Sequence, residues 1–207
     1  MSREPDQVIE RPAPRGPKRP PGAPVGPAEV RAAVLDAAAA LFGERGVSDV
    51  SLRDVAKAAD VEVALIGRYI GPRTVLVDEV FRIVRDQVSD ELEAKPLGQL
   101  DFGRDSHLGR WMTMLSYYNV RSIPLPSGGR DPILTLATLL EHHLGLEPQT
   151  ARLRAAQITA ISLGWRLFED HLVQSANLED LPLPLLRDDI TEIQRLIGST
   201  PWSSKPT

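Results

Sequence analysis

Between Ser51 and Tyr69 the chain has room for only two short helices, and neither can stand alone. Ser51 and Asp54 have capping-box spacing ahead of Leu52, Val55 and Ala56, so a helix is predicted to start there. Asp60 and Val61 interrupt it after about two turns, and a second short helical stretch runs from Glu62 to Tyr69. Isolated helices this short are marginal in water. They need a third element across them, and the preceding segment supplies it. Val30, Val34, Ala37/Ala38 and Leu41 recur at spacings of three and four behind Pro27, a residue suited to a first helical position. Gly43 and Gly46 are read as its end. Three helices at roughly 28–43, 51–58 and 62–69, with the last on the outside, have the layout of a helix-turn-helix.

The rest of the chain reads as helical too. After Gly71-Pro72 a helix over 76–94, with Val77, Val80, Phe81, Val84 and Val88 on one face, connects to a second domain at 95–199. There, His107–Asn119 carries an apolar stripe, and Asp131-Pro132 and Gly145 bracket another helix. The longest begins at Pro148 and runs to about Val173. Residues 177–184 read as a connector, and a last helix carries Leu186, Ile190, Ile193 and Ile197, with Gly198 as its stop. No stretch alternates like a strand. The fold class is all-α: an N-terminal three-helix DNA-binding unit at 28–75 and a C-terminal helical domain.

Ahead of both lies a proline-rich arm. Residues 1–27 hold eight prolines, with five basic groups against three acidic ones. Such a segment packs no core, and it reads either as a solvated tail or as a basic arm along DNA. The remainder carries 19 basic and 25 acidic groups. An acidic body does not suit a protein that coats nucleic acid indiscriminately, so DNA contact has to come from a local patch. The absence of cysteine excludes disulfide frameworks and thiolate metal sites. No apolar run is long enough to cross a bilayer and the first residues are no secretory leader, which points to the cytoplasm. No HExxH, GxSxG, Walker-type phosphate loop or glycine-rich dinucleotide turn occurs, so an enzyme is not expected. His142 and His143 are adjacent and diverge on a helix, and neither a metal nor a cofactor is expected.

In the run from Val30 to Phe81, Ala38, Leu41, Phe42, Gly46, Ser51, Val55, Ala56, Ala59, Val61, Ile66, Tyr69 and Leu76 keep order and spacing without a gap. Over these fifty or so residues the chain resembles the N-terminal domain of the TetR family of transcriptional regulators. The resemblance implies a homodimer on double-stranded operator DNA, released by a small-molecule effector held in the second domain. The chain departs from the family pattern at Asp60, where the turn usually has Gly, and at Gly67, where the recognition helix usually has Tyr. Ile70 and Arg73 replace a Phe and a Lys.

Carried over position by position, the resemblance assigns base contacts to Arg53, Val63, Ala64 and Gly67. Phosphate contacts fall to Ser51, Leu65 through its backbone, Arg68, Tyr69 and Arg73. Only Arg53 has the fork for a guanine edge; its other reading is an ion pair with Asp54 or Asp49. Tyr69 reads equally as a core aromatic. In the second domain, Trp111, Met112, Met114, Tyr117, Tyr118, Trp165 and Phe168 are the candidate effector pocket, each also suited to plain packing.

The helix over 149–173 carries two apolar stripes, Leu153–Ala156–Ala160–Leu163–Leu167 and Ile158–Ile161–Trp165–Phe168–Leu172, on either side of Thr159, Ser162, Arg166 and Glu169. A helix apolar on two faces packs on both sides. It reads either as the central helix of a monomer or, as the resemblance implies, as part of an intersubunit four-helix bundle with the last helix, for which Leu163, Leu167, Ile190, Ile193 and Ile197 are the candidate dimer seam. Two functions follow: a ligand-responsive repressor on a pseudo-palindromic operator, or a helical small-molecule-binding or protein-interaction module whose helix-turn-helix no longer binds DNA specifically.

Overall fold

Pro27 fixes the backbone angle that a first helical turn needs and lacks only an N–H that would have been unpaired there. Helix α1 (Gly26–Arg45) starts accordingly. The computed structural model describes residues 24–95 and 106–199, and the arm at 1–23 lies outside them. A single 3-10 turn (Val47–Asp49) leads to α2 (Leu52–Ala58) and α3 (Val63–Tyr69). After these come α4 (Arg73–Ala94), α5 (His107–Val120), α6 (Pro132–Leu144), α7 (Pro148–Ser175) and α8 (Leu183–Ser199). The described residues contain no strand, and the fold is all-α.

Two glycines behave differently from the sequence reading. Gly43 lies inside α1 rather than at its end, and a Cβ added there would collide with the Arg110 side chain. It marks where the Arg110 side chain of α5 crosses α1 in the space that a Cβ would take. Gly46 is the actual stop, with φ 85° and its N–H on the Phe42 carbonyl. Similarly, α8 begins at Leu183, with Pro184 in its first turn, and runs through Gly198. Pro is tolerated in a first turn, so Pro184 does not keep this segment a connector.

The core is one continuous cluster. Val34, Ala38 and Phe42 of α1 meet Val55 and Ala56 of α2, Ile66 of α3, and Leu76, Val80 and Phe81 of α4. Farther along α4, Val84, Val88 and Leu92 join Trp111, Met112 and Leu115 of α5, Leu136 and Leu140 of α6, and Ala155 and Ile158 of α7. Truncating Phe42, 1% exposed, removes a central member of the three-helix unit, a loss that typically costs about 3–5 kcal/mol. Helix α4 thus serves both halves, and α5 is pinned to it. The Tyr118 ring lies 4.8 Å from that of Phe81 and its hydroxyl donates to Asp78 Oδ1 at 2.6 Å. Burial, reinforced by Asp78, pushes the Tyr118 phenol above its ordinary pKa.

The loop between α5 and α6 is strapped onto α4 by two arginines. Arg85 donates to the Pro126 and Gly128 carbonyls, each at 3.3 Å, and its guanidinium lies 3.6 Å from Asp131. Arg130 reaches the other way, to the Asp86 carbonyl at 2.9 Å and to the carboxylates of Asp90 and Glu93. These carboxylates raise the Arg130 pKa further.

Candidate nucleic-acid interface and cavity

The α2–α3 corner is built by local chemistry. Ser51 Oγ accepts from the Asp54 N–H at 3.2 Å while Asp54 Oδ2 accepts from the Ser51 N–H at 2.8 Å, a complete capping box. The Ser51 hydrogen bonds hold the Asp54 carboxyl below the usual carboxylate range. Asp60 supplies the turn with φ 53°, a left-handed conformation that Asp visits more readily than most residues. Ile66 is fully buried and fixes the inner side of α3. The opposite side is then open: Val63, Ala64, Gly67 and Arg68 are all exposed, and Arg53 and Lys57 of α2 are exposed as well. Arg53 forms no ion pair within 4 Å with either Asp54 or Asp49. A Cβ at Gly67 would meet nothing within 4 Å. Three acids, Asp49, Asp60 and Glu62, are exposed in the same region.

Four of the residues expected at phosphate have other duties, beginning with Ser51, whose hydroxyl and N–H both donate to Asp54 Oδ2. The Leu65 N–H donates to the Glu62 carbonyl at 2.9 Å and its side chain packs on the core, so no free backbone donor remains there. Arg73 Nη2 donates to the Val47 carbonyl and, at 3.2 Å, to that of Val50, bracing the 3-10 turn against the start of α4. The Tyr69 ring is half-buried against the core, with the Arg68 guanidinium 5.5 Å from its centre. The Tyr69 carbonyl accepts from Arg31 at 3.2 Å, and Arg31 also bonds Glu79 at 2.7 Å. Arg31 thereby ties the end of α3 to both α1 and α4. Beside Ser51 a groove is lined by Ser48, Asp49, Val50, Leu52, Arg73, Tyr117 and Arg121. Arg121 donates to Ser48 Oγ at 3.1 Å and lies 5.2 Å over the Tyr117 ring.

A cavity of about 300 Å³ opens among α4, α5, α6, α7 and α8. Leu92, Leu108, Trp111, Met112, Leu136 and Ile158 make its apolar wall, and Thr159, Ser162 and Gln194 a buried polar edge. Gln194 Nε2 donates to Ser162 Oγ at 2.7 Å, and Ser162 Oγ donates to the Ile158 carbonyl at 2.9 Å. Asp188, Glu192 and Arg195 stand on α8 at the cavity's rim, where Arg195 holds Glu192 in two bonds of 2.6 and 2.7 Å. Those bonds keep Glu192 below and Arg195 above their usual pKa values.

Of the seven pocket residues read from sequence, only Trp111 and Met112 line this cavity. Met114 and Tyr118 are buried core residues, and Tyr117 belongs to the groove beside Ser51. Trp165 donates to Glu169 Oε2 at 2.8 Å, and Phe168 is 56% exposed. Both sit one to two turns past the cavity wall on α7.

The two stripes of α7 divide by length as well as by face. Ile158 is buried, while farther along Leu167, Phe168 and Leu172 are exposed. Ala156 and Ala160 are exposed with them, and Leu163 is half-buried against the core. On α8, Leu185, Ile193 and Leu196 are exposed, whereas Ile197 packs inward and Ile190 is half-buried. The intervening polar line of α7 faces α8. Beyond the Ser162–Gln194 bond, Arg187 grips Glu169 at 2.7 and 3.0 Å, and this holds the Glu169 carboxyl low.

The model of bacterial regulatory proteins of the tetR family matches residues 34–80, which span most of α1, all of α2 and α3, and the start of α4. Residues 34–80 thus carry the DNA-binding unit of the tetR family. An HTH-type transcriptional repressor of Mycobacterium tuberculosis is 29% identical over 177 residues, covering 82% of this chain and 89% of that protein. An HTH-type transcriptional regulator of Mycobacterium bovis matches with the same identity and coverage. Among solved structures, a TetR-family transcriptional regulator from Streptomyces coelicolor aligns with a TM-score of 0.45 at 23% identity, over 82% of this chain and 97% of the other. The TetR family repressor AlkX from a Dietzia strain aligns with a TM-score of 0.46 at 20% identity, over 85% and 99%. These matches support a DNA-binding transcriptional regulator. Among the described residues no helix is long and apolar enough to cross a membrane.

Sequence reasoning missed the α8 rim of the cavity and the Arg121–Tyr117 pair. The local signal for the first was Ser162 and Gln194, polar residues within helices that are otherwise apolar on their inner faces. The second has a local signal in the i, i+4 spacing of Tyr117 and Arg121, whereas the Ser48 partner of Arg121, 73 residues away, has none.

Proposed function

We propose that the chain is a ligand-responsive repressor that binds a pseudo-palindromic operator as a homodimer. The observation that carries this is the outer face of α3, where Val63, Ala64, Gly67 and Arg68 stand clear of the core beside Arg53 and Ser51 of α2. In this reading α3 enters the major groove, with Val63 and Ala64 against thymine methyls and Arg53 on a guanine edge. Arg68 contacts phosphate and sets the register, while Ser51 gives both its donors to Asp54 and holds the start of α2 in place. A second copy packs on Leu167, Leu172, Ile193 and Leu196, so that α7 and α8 of two chains form a four-helix bundle.

The effector occupies the cavity between α5 and α8. Its volume is at the lower end for small-molecule sites, with room for a ligand of about ten non-hydrogen atoms on the scale of about 30 Å³ per liquid water. The apolar wall takes a hydrocarbon or single-ring body, and Thr159 and Gln194 offer neutral hydrogen-bonding groups to one polar end. Arg195 is already engaged by Glu192, and Asp188 adds a negative charge, so a neutral ligand suits the rim better than a carboxylate. To release the operator, the effector must bind more tightly to a state whose two α3 helices are wrongly spaced.

The competing reading, a helical small-molecule or protein-interaction module without specific DNA binding, draws on Gly67 and the exposed acids Asp49, Asp60 and Glu62. The double variant Arg53→Ala/Arg68→Ala discriminates. In a folded dimer it should lose retention of a sequence-selected duplex on a filter or gel, and full retention would favour the module.

A further inference from the structure

We propose that Arg121, at the C-terminal end of α5, contacts the operator phosphate next to Ser51, so that the effector-binding half of the chain itself touches DNA. This rests on the operator-binding reading above. The need for it comes from charge. Residues 28–75 carry six basic groups against seven acidic ones, and Arg73 is held by two backbone carbonyls while Arg31 is paired with Glu79. A domain so balanced must find phosphate-binding cations elsewhere.

Arg121 meets the requirement. It is exposed, and it lines one groove with Ser48, Ser51, Arg73 and Tyr117. Its guanidinium is fixed in place by the Ser48 hydroxyl at 3.1 Å and the Tyr117 ring at 5.2 Å. Arg45, Arg85, Arg130, Arg187 and Arg195 each sit within 4 Å of a carboxylate, and Arg121 does not. Asp49 lines the same groove but makes no ion pair with it. An arginine held by one hydroxyl and one ring face keeps most of its planar fork free for a phosphate, with part of the ordering cost already met. The hydroxyls of Ser48 and Ser51 flank the same position.

The assignment gives α5 two roles. Its first turns carry Leu108, Trp111 and Met112 on the cavity wall, and Arg121 lies ten residues beyond Trp111, about 15 Å along the axis. A ligand that shifts α5 therefore shifts a phosphate contact directly.

The test is the salt dependence of operator binding for the full chain and for Arg121→Ala, Arg121→Lys and Ser48→Ala, on a duplex selected by the wild-type protein. Losing one phosphate contact reduces the slope of log K against log salt by about 0.9. The affinity deficit of Arg121→Ala measured at 50 mM salt should thus shrink about 3.5-fold by 200 mM. Arg121→Lys should restore the slope, since a point charge also binds phosphate, and Ser48→Ala should keep it. Melting temperatures should not change. A wild-type slope in Arg121→Ala overturns the proposal. So does a lowered melting temperature whose loss Arg121→Lys does not repair, which would make Arg121 a brace for the turn at Ser48. If the wild-type protein selects no duplex, the operator reading itself fails and this contact with it.

Discussion

Replacing Gly67 by Ala should stabilise the protein. Gly67 is in the seven-residue helix α3, its φ is not in the left-handed region, and a Cβ there meets nothing within 4 Å. No strain or clash then offsets the helix-propensity gain of Ala over Gly, about 0.8–1.0 kcal/mol. Part of it arises from the smaller entropy of the unfolded chain. For a protein of this size 1 kcal/mol moves the melting temperature by about 2–4 °C. Calorimetric melts at matched protein concentration provide the measurement, because an oligomer's melting temperature depends on concentration. Gly43→Ala is the internal control: the same substitution, but with the Arg110 side chain in the way, should be destabilising by about 1–3 kcal/mol. A Gly67→Ala protein that melts at or below the wild-type temperature would refute the open outer face of α3. Equal shifts for the two variants would refute the close approach of α1 and α5.

Arg53→Ala should weaken binding to the preferred operator by about 1–3 kcal/mol while leaving binding to unrelated duplexes nearly unchanged, as read by competition titrations; equal loss on every sequence would mean that Arg53 touches phosphate alone. Leu167→Glu, at a position 44% exposed in the single chain, should leave folding intact and yield monomers in sedimentation, and a dimeric variant would place the seam elsewhere. In acid the α2 cap should fail. Asp54 titrates below its ordinary value because Ser51 bonds its carboxylate, so its contribution is complete above about pH 4 and is lost as pH falls through the lower folded value. The acid limb of the stability curve should therefore be shallower in Asp54→Asn than in wild type; an unchanged limb would remove the capping box from the account.

What was legible in the sequence was whatever depends on neighbours along the chain. The capping box at Ser51 and Asp54, the turn at Asp60 and the stops at Gly46 and Gly145 follow from local backbone chemistry, and each lies where the spacing predicted it. Gly43 reads as a stop because its close packing partner, Arg110, is distant in sequence, and α8 simply continues through Gly198. The clustering of aromatic residues in α5 and α7 suggested a pocket, yet it gave only Trp111 and Met112 of the cavity wall. Tyr118 was unreadable in this way because its partner is Asp78 on another helix, and Phe168 because its position along α7 lies past the cavity. Thr159 and Ser162 are the reverse case. They line the cavity because α8 packs over them, and nothing in the spacing of α7 alone reveals which helix covers its polar line.

The central claim is sequence-specific recognition by two copies of α3, and the most direct measurement is selection of bound duplexes from a random pool by the full-length protein at near-physiological salt. The account predicts enrichment of an inverted repeat whose half-site centres are about 34–36 Å apart along the duplex or somewhat more. Recovery of no common sequence by protein that is folded, dimeric and free of ligand would contradict it, and would turn attention from α3 to the cavity lined by Trp111 and Gln194.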